Sequence, residues 1–299
     1  MNAERDTAEY VRTELLETVI RSGQVLPGVV LDFDEEVYHA HPALSSTGAR
    51  QLLDAPARFE YARSAPQEPR KSFDVGTAAH SLVLGVGAEP VAIPEEMLAA
   101  NGAASTAAAR EFIASARAAG QVPIKRAELE AVRAMADAVL GNEQARRLFE
   151  QEGHPEASVF GVDPMTGVEV RARFDYLAPI AVDLKTSTKK ATKAQFERTI
   201  LDYGYHIQQG HYEDTYEFIG GHLDGFTFVV VEKEPPHLVG VFVLDRDYVE
   251  MGRAKAAQAR AIFAEGIESG IWPGYPDEIQ IVRPPQWAVT AYLKETRVA

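Results

Sequence analysis

The sequence predicts an α/β fold, because helical periodicity fills the first half of the chain and strand periodicity alternates with helices in the second. Its 299 residues, 46% of them hydrophobic and 25% charged, suffice for one large domain with additions or for two small domains. We predict one domain at residues 38–299, preceded by a helical extension at residues 1–37.

Helical periodicity and capping residues define the elements of the first half. Hydroxyl side chains at residues 45–47 can cap a short helix that Pro56 stops. A later helix contains Gly76-Thr-Ala-Ala-His80, whose small residues permit close approach to other backbone. From about residue 94 to residue 152, a stretch rich in Ala, Arg and Glu predicts a helical insertion. Longer helices are predicted at residues 5–22, 73–84, 105–119 and 125–150.

Strand-like segments begin at residue 157. They are rich in β-branched and aromatic residues and are bounded by turn residues such as Asp163-Pro-Met-Thr-Gly167. Predicted strands cover residues 157–162, 168–176, 180–186, 226–231 and 238–244, and predicted helices cover residues 192–202, 204–219 and 247–269.

Two carboxylates and a lysine lie on adjacent predicted strands. In Asp183-Leu184-Lys185 the side-chain period of two puts Asp183 and Lys185 on one face and Leu184 on the other. Asp175, near the end of the preceding strand, can complete a cluster that binds a hard divalent cation, with the ammonium of Lys185 beside the bound water or phosphate. This is the chemistry of a metal-dependent phosphodiesterase. The alternative is a surface salt-bridge patch, against which the apolar neighbours Val182 and Leu184 argue.

Three more elements could join this centre. A neutral His80 could complete the coordination of a metal, although a single histidine is more often capped or solvent-facing. Glu156 opens the strand run and is either an outer metal ligand or an ordinary exposed acid. Tyr205, Gln208 and Tyr212 form one stripe of a helix at i, i+3 and i+7, which either belongs to the core or holds a phosphate and stacks a base.

The net charge of −14 is awkward for a nucleic-acid-binding protein, because backbone binding depends on Lys and Arg. Residues 169–198 differ from the rest of the chain in charge. Seven basic and four acidic residues give this window a net charge of +3, which leaves a net charge of −17 for the other residues. Its lysines after the candidate site form either a solvated turn or a patch that tracks a DNA backbone. We assign DNA binding to Arg173, Lys189, Lys190, Lys193 and Tyr205.

Cysteine is absent, which excludes disulfides, thiolate zinc sites and cysteine-ligated iron–sulfur clusters. No apolar run approaches membrane-spanning length, and no signal peptide precedes the acidic start. We therefore expect a cytoplasmic protein with no membrane partner.

Together these motifs resemble the RecE-type (exonuclease VIII) exodeoxyribonucleases of phages and prophages, within the PD-(D/E)XK nuclease superfamily. The resemblance runs from about Tyr38 onward. It implies a restriction-endonuclease-like core, with a mixed central sheet flanked by helices and with added N-terminal helices. The motifs that carry it are Ala43-Leu-Ser-Ser, Ala55-Pro-Ala, Gly76-Thr-Ala-Ala-His80, Glu156-Ala-Ser, Arg171-Ala-Arg-Phe-Asp175, Val182-Asp-Leu-Lys-Thr and Tyr205-His-Ile-Gln208 with Tyr212.

By this resemblance, Asp175 and Asp183 ligate Mg²⁺ or Mn²⁺, His80 is a further ligand and the carbonyl of Leu184 is an optional one. Lys185 positions the attacking water. The absence of cysteine points to the cluster-free recombination exonucleases, since related nucleases often carry an iron–sulfur cluster.

Gln208 and Tyr212 would form a Gln-X-X-X-Tyr motif near the scissile strand. The implied activity is Mg²⁺-dependent 5′-to-3′ resection of linear double-stranded DNA with free ends, which exposes single strands for an annealing protein in recombination. A ring-shaped homo-oligomer of phage or prophage origin, in a bacterial host cell, is implied as well. Three alternatives stay open: a structure-specific or restriction-like endonuclease with the same core, a non-catalytic DNA-binding protein, and an unrelated protein whose acids are ion-paired.

Overall fold

A computed structural model describes residues 27–64 and 75–296 of the chain. The helix predicted at residues 5–22, and with it most of the predicted extension, lies outside these residues. The division of the chain after residue 37 stays a prediction. Residues just before that division nevertheless contribute a strand to the central sheet, because Gly28–Val30 pairs antiparallel with the strand around Val159.

The centre of the molecule is a six-stranded sheet in the order β1-β4-β5-β6-β7-β8. Neighbouring strands are antiparallel except for β6 and β7, which are parallel. A separate two-stranded parallel sheet is formed by β2 and β3. The strands are β1 (Gly28–Val30), β2 (Pro90–Ile93), β3 (Val122–Lys125), β4 (His154–Val162), β5 (Glu169–Leu177), β6 (Ile180–Ser187), β7 (Gly225–Glu232) and β8 (Val239–Phe242).

Helices lie between β1 and β4 in the first half of the described chain and follow β6 and β8 in the second. A short 3₁₀ helix lies at Glu95–Met97. The α-helices of the described residues are α1 (Glu35–Ala40), α2 (Ser46–Asp54), α3 (Pro56–Ser64), α4 (Val75–Leu84), α5 (Ala107–Ala118), α6 (Arg126–Gly141), α7 (Glu143–Phe149), α8 (Lys193–Tyr203), α9 (Tyr205–Glu217), α10 (Arg246–Ser269) and α11 (Gln286–Thr296).

Both faces of the sheet are covered, as the alternation of side chains along β6 requires. Val182 and Leu184 are fully buried in a cluster with residues of α4 and α6. Ala181 belongs to the opposite cluster, which includes Phe196 of α8 and Tyr212 of α9. Burial of a side chain the size of Leu184 contributes about 1.5–3 kcal/mol. Because β6 is fixed on both faces, its register, and with it the direction of every side chain, is strongly specified.

This architecture confirms the predicted fold class, a mixed central sheet flanked by helices. Two local predictions were wrong. The single helix predicted at 125–150 is two helices, because the side chain of Asn142 accepts hydrogen bonds from the backbone N–H groups of Gln144 and Ala145 and so caps a new helix. The insertion predicted at 94–152 is not purely helical, since β3 lies within it.

Among the described residues, no helix combines the length and the apolar character needed to cross a membrane.

Candidate active site

The candidate site lies where β5 and β6 separate. The two antiparallel strands pair at Tyr176 and Val182, and no further pair joins them. Beyond that pair, Oδ2 of Asp175 accepts the backbone N–H of Leu184 at 2.7 Å, so a side chain takes the place of a ladder hydrogen bond. The carboxylate of Asp175 is thereby fixed in the gap between the strands, next to the start of Asp183-Leu184-Lys185.

Asp183 lies at the bottom of this gap with a relative exposure of only 2%. Its Oδ1 accepts a hydrogen bond from Nε2 of Gln208 at 2.5 Å, and its Oδ2 is 2.6 Å from Nζ of Lys185. Asp183 and Lys185 therefore share one face of β6, as the alternation predicts, while Leu184 is buried on the other. A buried carboxylate with an amide donor and an ammonium is held in one orientation.

Lys185 carries a positive charge at this centre. Burial opposes the charge, but the carboxylates of Asp183 and Asp175 outweigh that effect and raise the pKa of Lys185. Its Nζ also lies 4.9 Å from the ring centroid of Tyr205, within the range of a cation–π contact. Lys185 can therefore donate hydrogen bonds to a water or phosphate oxygen, but it is not a base in this arrangement.

His80, Glu156 and Asp175 converge above the gap. One ligand atom of each lies within 4.8 Å of the others, and Nδ1 of His80 is 3.6 Å from Oδ2 of Asp175. Burial, together with the nearby charge of Lys185, lowers the pKa of His80 to about 4, so its imidazole is neutral at physiological pH. Neutral imidazole is the form that ligates metals.

The electrostatics of Asp175 favour the binding of a cation. Burial and the neighbouring carboxylate of Asp183 raise the pKa of Asp175 well above its usual range. A buried carboxylate beside a second one is costly unless a positive charge joins them, and a bound divalent cation is often the largest local charge in such a site.

Glu156 has a strained backbone at this point. Its φ is +50°, a left-handed conformation that costs a non-glycine residue roughly 1–2 kcal/mol. The pairs Pro155–Tyr176 and Ala157–Phe174 flank it, which places Glu156 across from Asp175 on β5. Nε of Arg173 donates to Oε2 of Glu156 at 2.7 Å and orients the carboxylate. Such strain clusters at functional sites, and here it faces the acid that a metal would bind.

These donors fit a hard divalent cation. Carboxylate oxygens of Asp175 and Glu156 and the neutral nitrogen of His80 are suitable ligands for Mg²⁺ or Mn²⁺. Oδ1 of the adjacent Asp183 accepts from Gln208, whereas its buried Oδ2 forms an ion pair with Lys185 and has no hydrogen-bond partner among the described residues. The structure thus brings three of the predicted side-chain ligands together and places Asp183 beside them. The ligand roles, including that of the Leu184 carbonyl, stay predictions.

Helix α9 delivers Gln208 to Asp183, and two glycines fix its position. A Cβ atom on Gly252 of α10 would lie 2.0 Å from the carbonyl oxygen of His206, and one on Gly210 would lie 2.5 Å from the backbone of Arg253. The backbones of α9 and α10 therefore approach as closely as glycine allows. Any larger residue at this crossing would move α9, and with it Gln208.

Tyr212 is part of the core rather than of an open surface. Its ring centroid lies 5.0 Å from that of Phe174, and burial raises the pKa of Tyr212 well above its usual range. Its catalytic role stays a prediction, and its contacts are those of a residue that supports β5 beneath the site.

The residues predicted to bind DNA occupy different environments. Arg173 is bound to Glu156 and to the carbonyl of Phe33, whereas Lys190 is exposed. Nζ of Lys189 lies 3.0 Å from Asp202, and that of Lys193 lies 3.9 Å from Glu197. Tyr205 is partly buried against the site. Their roles in binding DNA stay predictions.

Sequence reasoning missed two basic residues near this centre. Arg50 of α2 donates to the carbonyl of Tyr203 at 2.5 Å and lies close enough to Asp183 to feel its charge. Lys233 lies directly after β7 and lines a cavity beside Lys185. Both come from segments distant in sequence, and no spacing relates them to the strand motif.

Comparison with known proteins agrees with this fold. The profile of the family described as "PDDEXK-like domain of unknown function (DUF3799)" matches residues 45–285. A crystal structure of a protein from Eubacterium rectale, described as a "putative exonuclease", superposes with a TM-score of 0.53 at 13% sequence identity, covering 87% of this chain and 99% of that one. At this identity the likeness concerns the fold. No curated protein matches the sequence at a significant level. The predicted PD-(D/E)XK-like core is confirmed.

Proposed function

The chain belongs to the family of PDDEXK-like domains DUF3799, and from this premise we propose that it is a metal-dependent nuclease that hydrolyses phosphodiester bonds of DNA. The observation that carries the proposal is the arrangement at the separated strands. Asp175 and Asp183 lie between a protonated Lys185 on one side and, on the other, Glu156 and the neutral imidazole of His80. A surface salt-bridge patch would need none of these further groups.

The side chains of this chain supply positioning and charge. Gln208 and the backbone N–H of Leu184 fix the carboxylates of Asp183 and Asp175 before substrate binds. Lys185 donates to a phosphate oxygen or to the attacking water, and its charge offsets the negative charge that develops on phosphorus. Asp175, Glu156 and His80 would hold a divalent cation, which supplies a Lewis acid for the phosphoryl group.

We further propose that the substrate is linear double-stranded DNA with free ends, digested from 5′ to 3′, with Mg²⁺ as the natural metal and Mn²⁺ as a substitute. The resemblance to RecE-type exonucleases supports this direction and supports a recombination role with a single-strand annealing partner. The description of the Eubacterium rectale protein as an exonuclease agrees with end-dependent digestion.

A ring-shaped homo-oligomer is part of the proposal because it would allow an acidic protein to bind DNA. Basic side chains gathered around a channel let a protein of net charge −14 hold DNA locally while its outer face stays negative. Mass measurement in solution tests the ring. A strictly monomeric protein that still digests DNA processively would contradict it.

The proposed activity is tested with linear duplexes labelled separately at each 5′ and 3′ end, with and without Mg²⁺. Wild-type protein should release the 5′ label first. Asp183→Ala and Lys185→Ala should lower the rate by orders of magnitude while the circular-dichroism spectrum is unchanged. Lys255→Ala removes the same charge as Lys185→Ala from an exposed position on α10 and serves as the matched control.

Three outcomes would contradict parts of the assignment. Wild-type rates in both Asp183→Ala and Lys185→Ala would show that this is not the catalytic centre. Cleavage of closed circular DNA as fast as linear DNA would replace the exonuclease with an endonuclease. Absence of Mg²⁺ or Mn²⁺ binding by calorimetry, together with retained DNA binding, would support a non-catalytic DNA-binding protein.

A further inference from the structure

A basic cavity lies beside the candidate active site. It encloses about 210 Å³ and opens next to Lys185, between the loop that follows β6 and helix α8. Among the described residues, its lining includes four lysines and no carboxylate, and two of these lysines, Lys185 and Lys189, form ion pairs with Asp183 and Asp202. The lysines are Lys185, Lys189, Lys190 and Lys233.

The wall of the cavity is fixed by hydrogen bonds. The backbone N–H of Lys233 donates to the carbonyl of Ser187 at 2.7 Å, which ties the end of β7 to the loop after β6. In the same loop the N–H of Ala191 donates to the side chain of Glu232 at 2.8 Å. Lys189 and Lys233 thus lie on a preorganised turn, and little backbone ordering is required when a ligand binds, although a phosphate would compete with Asp202 for the ammonium of Lys189, which lies 3.0 Å from it.

An aromatic surface borders the same cavity. Tyr203 is half exposed, and its ring stacks on that of Tyr205 with a centroid distance of 5.7 Å and an interplanar angle of 18°. Nζ of Lys189 lies 5.5 Å from the ring centroid of Tyr203. Exposed aromatic rings beside ammonium groups are the combination that proteins use to stack a base while holding its phosphate.

The size of the cavity limits what can enter. A volume of about 210 Å³ is sufficient for a phosphate group and part of a sugar. Tyr203, which also lines the cavity, is exposed and can contact a base.

We propose that this cavity binds the terminal, phosphate-bearing nucleotide of a DNA strand, with Lys233 and Lys189 on the phosphate and Tyr203 stacked on the base. The inference rests on the proposed nuclease function and adds how a strand end is selected. Internal backbone carries the same phosphate chemistry, but a cavity that closes around a phosphate admits an end more easily than a continuous strand. The protein should therefore respond to the phosphorylation state of the DNA end.

Thymidine 5′-monophosphate and inorganic phosphate are the direct probes, because their binding needs no catalysis. Calorimetric titration of the full chain should show binding of both. Lys233→Ala should weaken both by roughly tenfold, the typical effect of losing one hydrogen bond to a charged group. Tyr203→Ala should weaken only the nucleotide, and Tyr203→Phe should restore it because the stacking surface returns. Lys255→Ala is the matched control and should bind like the wild type.

Cleavage assays connect the cavity to strand ends. Linear duplexes with a 5′-phosphate, a 5′-hydroxyl or a 3′-phosphate are compared with nicked circles. Wild-type rates should depend on one terminal phosphate, and Lys233→Ala should reduce that dependence about tenfold, with thermal melting confirming that the variant is folded.

The two proposals can fail separately. If the protein cleaves DNA with metal but binds no nucleotide, the cavity assignment is overturned and the nuclease stays intact. The same holds if nucleotide binding and end preference are unchanged in Lys233→Ala and Tyr203→Ala. Nucleotide binding that depends on Lys233, in a protein that cleaves no DNA, would overturn the nuclease and leave the cavity as a nucleotide site. Absence of binding in the wild type, with no effect of end phosphates, would overturn the cavity assignment whatever the activity.

Discussion

Gln208→Ala should separate catalytic positioning from stability in this protein. Nε2 of Gln208 donates to Oδ1 of the buried Asp183 at 2.5 Å, and the remaining oxygen of Asp183 faces Lys185. Loss of the amide removes one of two groups that orient this carboxylate. Asp183 would then be free to rotate, and its distance from Asp175 would no longer be fixed.

The expected magnitude follows from the type of hydrogen bond. A hydrogen bond to a charged group contributes about 1.5–3 kcal/mol. If the bond orients Asp183 for reaction, its loss should lower kcat by roughly 10- to 150-fold, at about 1.36 kcal/mol for each factor of ten. The free energy of unfolding should fall by a similar amount, because Gln208 is itself buried.

The adjacent residue provides a matched control. Gln209 is buried on the same helix, but its amide donates to Glu213 at 2.8 Å and does not contact the site. Gln208→Ala and Gln209→Ala are compared by urea denaturation and by single-turnover digestion of linear duplex in saturating Mg²⁺. Both variants should lose stability, whereas only Gln208→Ala should lose rate per folded molecule.

Equal rates in the two variants would refute the reasoning. In that case the contact between Gln208 and Asp183 would be one of many packing contacts of α9, and orientation of Asp183 would depend on β6 alone. A loss of rate in Gln208→Ala that appears only at subsaturating Mg²⁺ would instead indicate that Gln208 acts on metal affinity.

Three further predictions concern packing, pH and metal. Gly252→Ala should lower the free energy of unfolding, measured by urea denaturation, by about 1–3 kcal/mol or more, because its Cβ would lie 2.0 Å from the carbonyl of His206. Gly141→Ala has open space around its Cβ and should be neutral or stabilising. Burial lowers the pKa of His211 to about 4, so the unfolded state takes up a proton first as the pH falls below about 6.5. The free energy of unfolding, measured by urea denaturation at each pH, should therefore drop by up to about 3 kcal/mol between pH 6.5 and 4. The drop should be less steep in His211→Gln. EDTA should abolish cleavage while the far-UV spectrum is kept, and added Mg²⁺ should raise Tm in the wild type but not in Asp175→Ala.

The strands around the site were predictable because they are long and periodic. Residues 168–176 and 180–186 were predicted as strands, and β5 and β6 occupy Glu169–Leu177 and Ile180–Ser187. The strands β1, β2 and β3 were missed, since three or four residues show no period and two of these strands contain proline, which argues against a strand. A local sequence pattern thus identifies a strand only where the strand is long enough for its alternation of side chains to repeat.

The site was predictable to the extent that it follows from one strand. Alternation along β6 places Asp183 and Lys185 together, and adjacency in sequence brings Asp175 to the same edge. The left-handed backbone of Glu156 had no signal, because positive φ is normally read from glycine. Arg50 reaches the site from a helix more than a hundred residues upstream, so only the tertiary fold reveals it.

The distribution of partners within the site bears on how an acidic protein holds DNA. Each acid at the centre has a donor of its own: Asp183 has Gln208 and Lys185, and Asp175 has a backbone N–H. Glu156 likewise has Arg173. Lys185 and Arg173 offset part of the negative charge of the acids, and the neighbouring cavity is lined by four lysines, of which Lys189 is paired with Asp202. Attraction of DNA then depends on this local arrangement rather than on net charge, and raising the salt concentration should weaken binding with a slope set by the few lysines that contact phosphate.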